Sequence, residues 1–197
     1  MPERHWTLLE SRQVSDHKIF RIFADLYRLD PEGRQRDFFR LDAPDWINVI
    51  PLTSDGQVVM IRQYRHGVRQ VTLEVPGGMV DPGEDHAAAA SRELREETGY
   101  VPGRIRCLGK VWPNPAIQNN ACYSYLAEDV RLEGPPQWDP YERMEIVTCP
   151  LVEIPAMIAN GQIGHSLVVT AFAQMGVTPL GIQSDVATHG DHDRHAS

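Results

Sequence analysis

Residues 77–100, GGMVDPGEDHAAAASRELREETGY, constrain their own conformation more tightly than any other part of the chain. Two adjacent glycines open the stretch and allow a tight turn with close approach of backbone to a ligand. DHAAAA is strongly helix-forming, and Gly99 after Thr98 reads as the C-terminal stop. The predicted helix therefore ends in Glu93, Glu96 and Glu97. That is the wrong end for carboxylates, because the helix dipole favours cations there. Glu93 and Glu97 also stand four apart, the spacing at which like charges repel. Arg92 can reach Glu96 and relieves part of the strain. A bound divalent cation accounts for the rest: Glu93 and Glu97 share a face one turn apart, with Glu96 on the flank. Hard oxygen ligands so arranged suit magnesium or manganese. A merely solvated acidic helix end would need Gly78, Glu84 and Arg92 to fall into step with these acids by chance.

The chain's 197 residues suffice for one domain with a sizeable core and a small appendage. A net charge of −8 argues against a nucleic-acid or anionic-membrane partner. It leaves room for a phosphate-bearing small molecule, since a metal inverts the local field. MPERHWTLLESR lacks the apolar core of a signal peptide, and no run approaches membrane-spanning length. Cys107, Cys122 and Cys149 show no paired or zinc-like spacing and are expected reduced and buried, in keeping with a cytoplasmic protein. Residues 18–30 and 34–43 flank the turn signal PEG and read as an opening β-hairpin. WINVIPLT and GQVVMIRQYR, joined by SDG, form a second strand pair. VTLEVPGG is a short strand running into the glycine loop. Further strands are expected at RIRCLGKVW, CYSYLAEDV and MEIVTCPL, and two closing helices at LVEIPAMIAN and HSLVVTAFAQM. Pro155 marks the start of the first of these helices. The polar tail from 179 to 197 is expected to be disordered.

The same stretch resembles the signature of the Nudix hydrolases, G-x5-E-x7-R-E-U-x-E-E-x-G-U, where U is a bulky aliphatic residue. Gly78, Glu84, Arg92, Glu93, Glu96, Glu97 and Gly99 match every fixed position, and Tyr100 is the single departure, at a packing position. The resemblance implies an α/β fold, an α/β/α sandwich around a mixed β-sheet, here with an N-terminal antiparallel β-hairpin extension. It implies hydrolysis of a nucleoside diphosphate linked to another moiety, with Mg2+ or Mn2+ as cofactor. Glu93 and Glu97 would hold the metal, with Glu96 a further ligand and the Gly77 carbonyl a neighbouring one. Glu84 and Arg92 would brace the loop against the helix, and Gly99 would end it. Gly78 would let the backbone approach the substrate.

Features outside the signature resemble the ADP-ribose pyrophosphatase subgroup: the residues preceding the core strands, Pro115 sixteen positions after Gly99, and the run IRQYRHGVRQVTLEVPGG. On that resemblance the chain divides into 1–45, a hairpin extension for dimerisation and the substrate pocket, 46–178, the hydrolase domain, and the tail 179–197. Arg65 would meet a phosphate. Trp46 is the foremost stacking candidate for the base, ahead of Phe20, Phe38 and Phe39. The catalytic base would come from the loop WDPYERMEIVTCP, with Glu142 favoured over Glu145 and Asp139, and Glu96 next should the loop acids not serve. The implied activity converts ADP-ribose to AMP and ribose 5-phosphate, in a homodimer. Alternatives are another nucleoside-diphosphate sugar such as GDP-mannose, or a non-catalytic sensor of ADP-ribose.

Overall fold

A computed structural model describes residues 5–183. The chain divides into two compact units, one running to Asp45 and including Val111–Ala121, the other comprising the remainder from Trp46. In the first unit, β1 (His5–Asp16), β2 (Arg21–Asp30) and β3 (Arg34–Asp42) form an antiparallel sheet in that order. The expected hairpin is present as β2 and β3, and β1 adds a third strand to it. Nearly every β1 residue is exposed, so it lacks the apolar alternation by which a strand is read from sequence. The segment 111–121 joins this unit through Leu41, whose N–H donates to the Ile117 carbonyl at 2.7 Å. Asn119 adds a hydrogen bond to Asp42 at 2.5 Å.

The second unit contains β4 (Trp46–Leu52), β5 (Gln57–Arg65), β6 (Gln70–Glu74), β7 (Gly77–Met79), α1 (His86–Thr98), β8 (Tyr100–Val101), β9 (Arg104–Val111), β10 (Cys122–Glu128), β11 (Arg131–Leu132), β12 (Met144–Pro150), α2 (Ile154–Ala159), α3 (Ser166–Met175), β13 (Val177–Thr178) and β14 (Gly181–Ile182). Its sheet runs β12-β5-β4-β10-β9, with β6 on β5 and β7 on β4. β4 and β10 are parallel while β5 pairs antiparallel with β4, β6 and β12, so the sheet is mixed. Strand alternation sorts the core onto two faces. Ile47, Val49, Val59 and Tyr125 pack with Ala89, Ala90 and Leu94 of α1. Ile50, Leu52, Val58, Met60 and Leu126 pack with Phe172 and Val168 of α3. The result is the expected layered arrangement, helices on both faces of one sheet.

β4 meets β5 only at Leu52 and Val58, near the turn that joins them. Beyond it β7 pairs with the start of β4, and β6 with the end of β5. The glycine loop thus has a backbone ladder on one side, which fixes where it points. β14 carries regular structure just past Pro179, where the sequence reading began the polar tail. The remainder of that tail, 184–197, lies outside the described residues. Cys122 and Cys149 are buried as expected, but Cys107 on β9 is exposed, and none of the three forms a disulfide. β9 sits at the edge of the sheet, where alternate positions face solvent.

Candidate active site

The acidic helix is well terminated at both ends. Asp85 accepts hydrogen bonds from the N–H groups of Ala87 and Ala88 at 2.9 and 3.1 Å, an N-cap. At the other end Gly99 takes a left-handed conformation (φ 76°) and its N–H bonds the Arg95 carbonyl. The carbonyls of Glu96 and Glu97, which a helix end would otherwise leave unpaired, accept from the Gln137 N–H at 2.7 Å and the Trp138 indole N–H at 2.8 Å. These two bonds tie the loop 137–142 to the helix that bears the acids. The sequence reading took this loop for its carboxylates and passed over the two residues that position it.

Around α1 the motif residues interlock. Gly77 donates its N–H to Glu97 Oε2 at 2.9 Å. A Cβ at Gly78 would meet the Glu93 carboxylate, which would have to move aside. Arg92 forks onto both oxygens of Glu84 at 2.9 Å and reaches Glu93 Oε1 at 2.9 Å, Glu96 Oε2 at 3.1 Å and the Met79 carbonyl at 3.2 Å. Glu84 in turn accepts from the Asp81 N–H. Glu84 and Arg92, expected to brace the loop against the helix, are ion-paired between the two. The Arg92 guanidinium holds the Glu84 carboxyl below its usual range, and Arg92 itself is pushed up, chiefly by Glu84.

The acids face a cleft of about 460 Å³ lined by Asp81, Glu93, Glu96, Glu97, Asp139 and Glu142 against only Arg65 and Arg92. Burial raises the Glu93 carboxyl, with the nearby charges of Glu96 and Glu142 adding to it and Arg92 opposing. Burial pushes Glu97 up to about 8, again with the charges of Glu93 and Glu142 adding. Such a surplus of partly desolvated carboxylates is a good environment for a divalent cation. Among the described residues no three His, Cys, Asp or Glu side chains form a ready-made cage. The donor set fits magnesium nonetheless, because that ion keeps several waters and binds through one or two carboxylates.

Arg65 also lines the cleft. Its guanidinium forks onto Glu74 at 2.8 and 2.7 Å, and Thr72 donates to the same carboxylate at 2.6 Å. Glu74 is only 2% exposed. Burial would raise its carboxyl, but Arg65 and Thr72 outweigh that and hold it low. Glu74 was not read from the sequence, where nothing marked a strand glutamate as an anchor. Glu142 lies in the cleft, its carboxylate accepting from the Asp139 N–H at 3.0 Å. Glu145 does not: it stands on β12 opposite Arg62 in an exposed ion pair of 3.0 Å.

Trp46 lines a neighbouring chamber that shares Arg65, Gly77, Gly78 and Met79 with the acidic cleft. The other aromatic candidates belong to the first unit. Phe20 lies beside His17, while Phe38 is in edge contact with Trp6 and Tyr27 at centroid distances of 5.3 and 5.9 Å. Phe38, Phe39 and Pro115 line a cavity of about 570 Å³ in that unit, with the Arg40–Asp25 pair among its walls.

A model of the NUDIX domain matches residues 44–171. The chain is 26% identical over 160 residues to the ADP-ribose pyrophosphatase of Bacillus subtilis (strain 168), covering 79% of this chain and 86% of that one. It is 30% identical over 164 residues to the ADP-ribose pyrophosphatase of Saccharomyces cerevisiae, covering 75% and 71%. Among solved structures, one titled as an ADP compounds hydrolase superposes with a TM-score of 0.77 at 24% identity, covering 86% of this chain and 91% of that one. The last likeness speaks to the fold.

Proposed function

The chain belongs to the Nudix hydrolase family, and we propose that within it this protein is a magnesium-dependent pyrophosphatase of ADP-ribose or a similar nucleoside-diphosphate sugar. One observation carries the reading: Glu93, Glu96, Glu97, Arg65 and Glu142 line a single cleft. Two relatives named as ADP-ribose pyrophosphatases support the choice of substrate.

Glu93 and Glu97 would hold the cation, with Glu96 and the Gly77 carbonyl as neighbouring ligands; manganese would suit the same oxygens. When bound, the cation neutralises charge on the diphosphate and makes a water more acidic. Arg65 orients a phosphate, and its ion pair with buried Glu74 keeps the guanidinium in place. Glu142 accepts the proton of the attacking water as the bridging P–O bond breaks, giving AMP and ribose 5-phosphate. A loop tip is a suitable place for that group, since the tip can adjust while its base stays tied to α1.

Exposed apolar side chains on the first unit, among them Trp6, Leu8, Leu9 and Val14, support a homodimer formed through its sheet. Three cysteines, none in a disulfide, fit a reducing compartment such as the cytoplasm. No helix among the described residues is long and apolar enough to cross a membrane. A panel of ADP-ribose, GDP-mannose and nucleoside triphosphates with magnesium, read by phosphatase-coupled phosphate release, tests the substrate. ADP-ribose or a related sugar should lead. Binding without turnover would make the protein a sensor, and preference for triphosphates would sink the proposal. Sedimentation of the full chain, and of a variant lacking residues 16–43, tests the dimer; a monomeric full chain would remove it.

A further inference from the structure

We propose that Arg143 is a positioning residue for the general base: by closing the turn 139–142 it keeps the Glu142 carboxylate over the acidic cleft. The inference rests on the role given to Glu142 above and deepens it. The loop is fixed at both ends. On one side Gln137 and Trp138 bond carbonyls of α1. On the other, Met144 is buried and pairs with Gln63 at the start of β12. Residues 139–143 lie between these anchors and must carry Glu142. They do so as a β-turn, in which the Asp139 carbonyl accepts the Glu142 N–H at 2.9 Å. Pro140 stands second in that turn, where its ring presets the backbone angle.

Like charges oppose the place that the turn gives to Glu142. Glu93, Glu96, Glu97 and Asp139 line the same cleft, and their carboxylates drive a further one outward. Two sets of bonds hold it. The Asp139 N–H donates to Glu142 Oε2 at 3.0 Å, which fixes that oxygen and leaves Oε1 to take the proton. Arg143 spans the turn, its Nη1 donating to the Pro140 carbonyl at 3.3 Å and to the Glu142 carbonyl at 2.7 Å. A cationic donor makes such bonds stronger than a neutral one would. Tyr141 at the apex is 99% exposed, so the apex gains no support from packing. The shape of the turn therefore rests on its hydrogen bonds, and Arg143 supplies two of them.

Steady-state kinetics with the best substrate of the panel above, and amide exchange by NMR, are compared for wild type, Arg143→Ala, Arg143→Lys, Glu142→Gln and the double variant of Arg143→Ala with Glu142→Gln. Arg143→Ala should lower kcat about ten- to a hundredfold, the cost of a misplaced catalytic group, with KM little changed. Exchange at Asp139 and Glu142 should quicken, while the melting temperature holds, because an exposed contact adds little to global stability. Arg143→Lys, which keeps a charged donor, should recover part of the rate. A residue that acts through Glu142 adds no loss once Glu142 is gone, so the double variant should match Glu142→Gln. An unchanged kcat in Arg143→Ala, a loss that multiplies onto that of Glu142→Gln, or a rise in KM alone overturns the proposal. Full turnover by Glu142→Gln removes the base assigned above, and the positioning role with it. A collapse in Glu142→Gln, with Arg143→Ala at the wild-type rate, sinks the positioning role alone. A wild type that turns over nothing in the panel fails the proposed function, and exchange then decides whether Arg143 closes the turn.

Discussion

Glu93 lays its carboxylate against Gly78, in the space that a side chain at residue 78 would have to occupy. Glycine here makes room for a neighbour's carboxylate; its own φ lies outside the left-handed region. Gly78→Ala should push Glu93 aside while leaving the fold intact by circular dichroism. The magnesium concentration for half-maximal activity should then rise about tenfold, the cost of roughly 1.4 kcal/mol in ligand placement. An unchanged magnesium titration would show that Glu93 does not hold the metal from this position.

The second prediction concerns pH in the metal-free protein. Burial holds Glu97 at about 8, against an ordinary 4.5. The folded state therefore binds a proton that the unfolded state has released between these values, and stability falls as pH rises through that window. Its contribution is fully present below pH ~4.5 and lost above pH ~8. Denaturant unfolding of wild type and Glu97→Gln in chelator, at pH 5 and pH 9, checks the sign. The variant should gain on wild type by on the order of 3 kcal/mol between the two conditions, and should have lost most of its turnover. A constant difference would remove Glu97 as the titrating group.

The loop acids are separable by kinetics. Glu142→Gln should lower kcat by about two to four orders of magnitude, the range for loss of a general base, with KM little changed. Glu145→Gln breaks only an exposed ion pair with Arg62 and should alter kcat less than about twofold. The reverse pattern would make Glu145 the base and require β12 to move.

How much of this was legible beforehand follows from where the information lies. The acids, the glycines and the Glu84–Arg92 clamp fall within 24 consecutive residues, and their spacing on a helix is fixed by its geometry. Arg65 was read from the sequence for the cleft it lines, but its ion pair was not, because Glu74 reaches it through the register of β5 and β6. The different surroundings of Glu142 and Glu145 could not be read from sequence, because they depend on the β12–β5 register, which turns Glu145 toward Arg62. β1 was missed because an exposed strand carries no hydrophobic period.

Trp138→Phe tests the tie between loop and helix. It removes the indole N–H that bonds the Glu97 carbonyl at 2.8 Å and keeps most of the ring's packing. Stability should drop by about 1 kcal/mol. Turnover should fall while the magnesium requirement holds steady, because the acids stay on α1. A shifted magnesium titration with unchanged kcat would mean the tie serves the metal ligands instead.

That tie uses main-chain oxygens, which every residue type possesses. The attachment is therefore blind to the side chains on the helix and at the loop tip alike. The acid at position 142 could be replaced, or the tip lengthened, and the loop would still set out from the same two carbonyls. The chemistry at the tip can be rewritten without renegotiating its point of suspension.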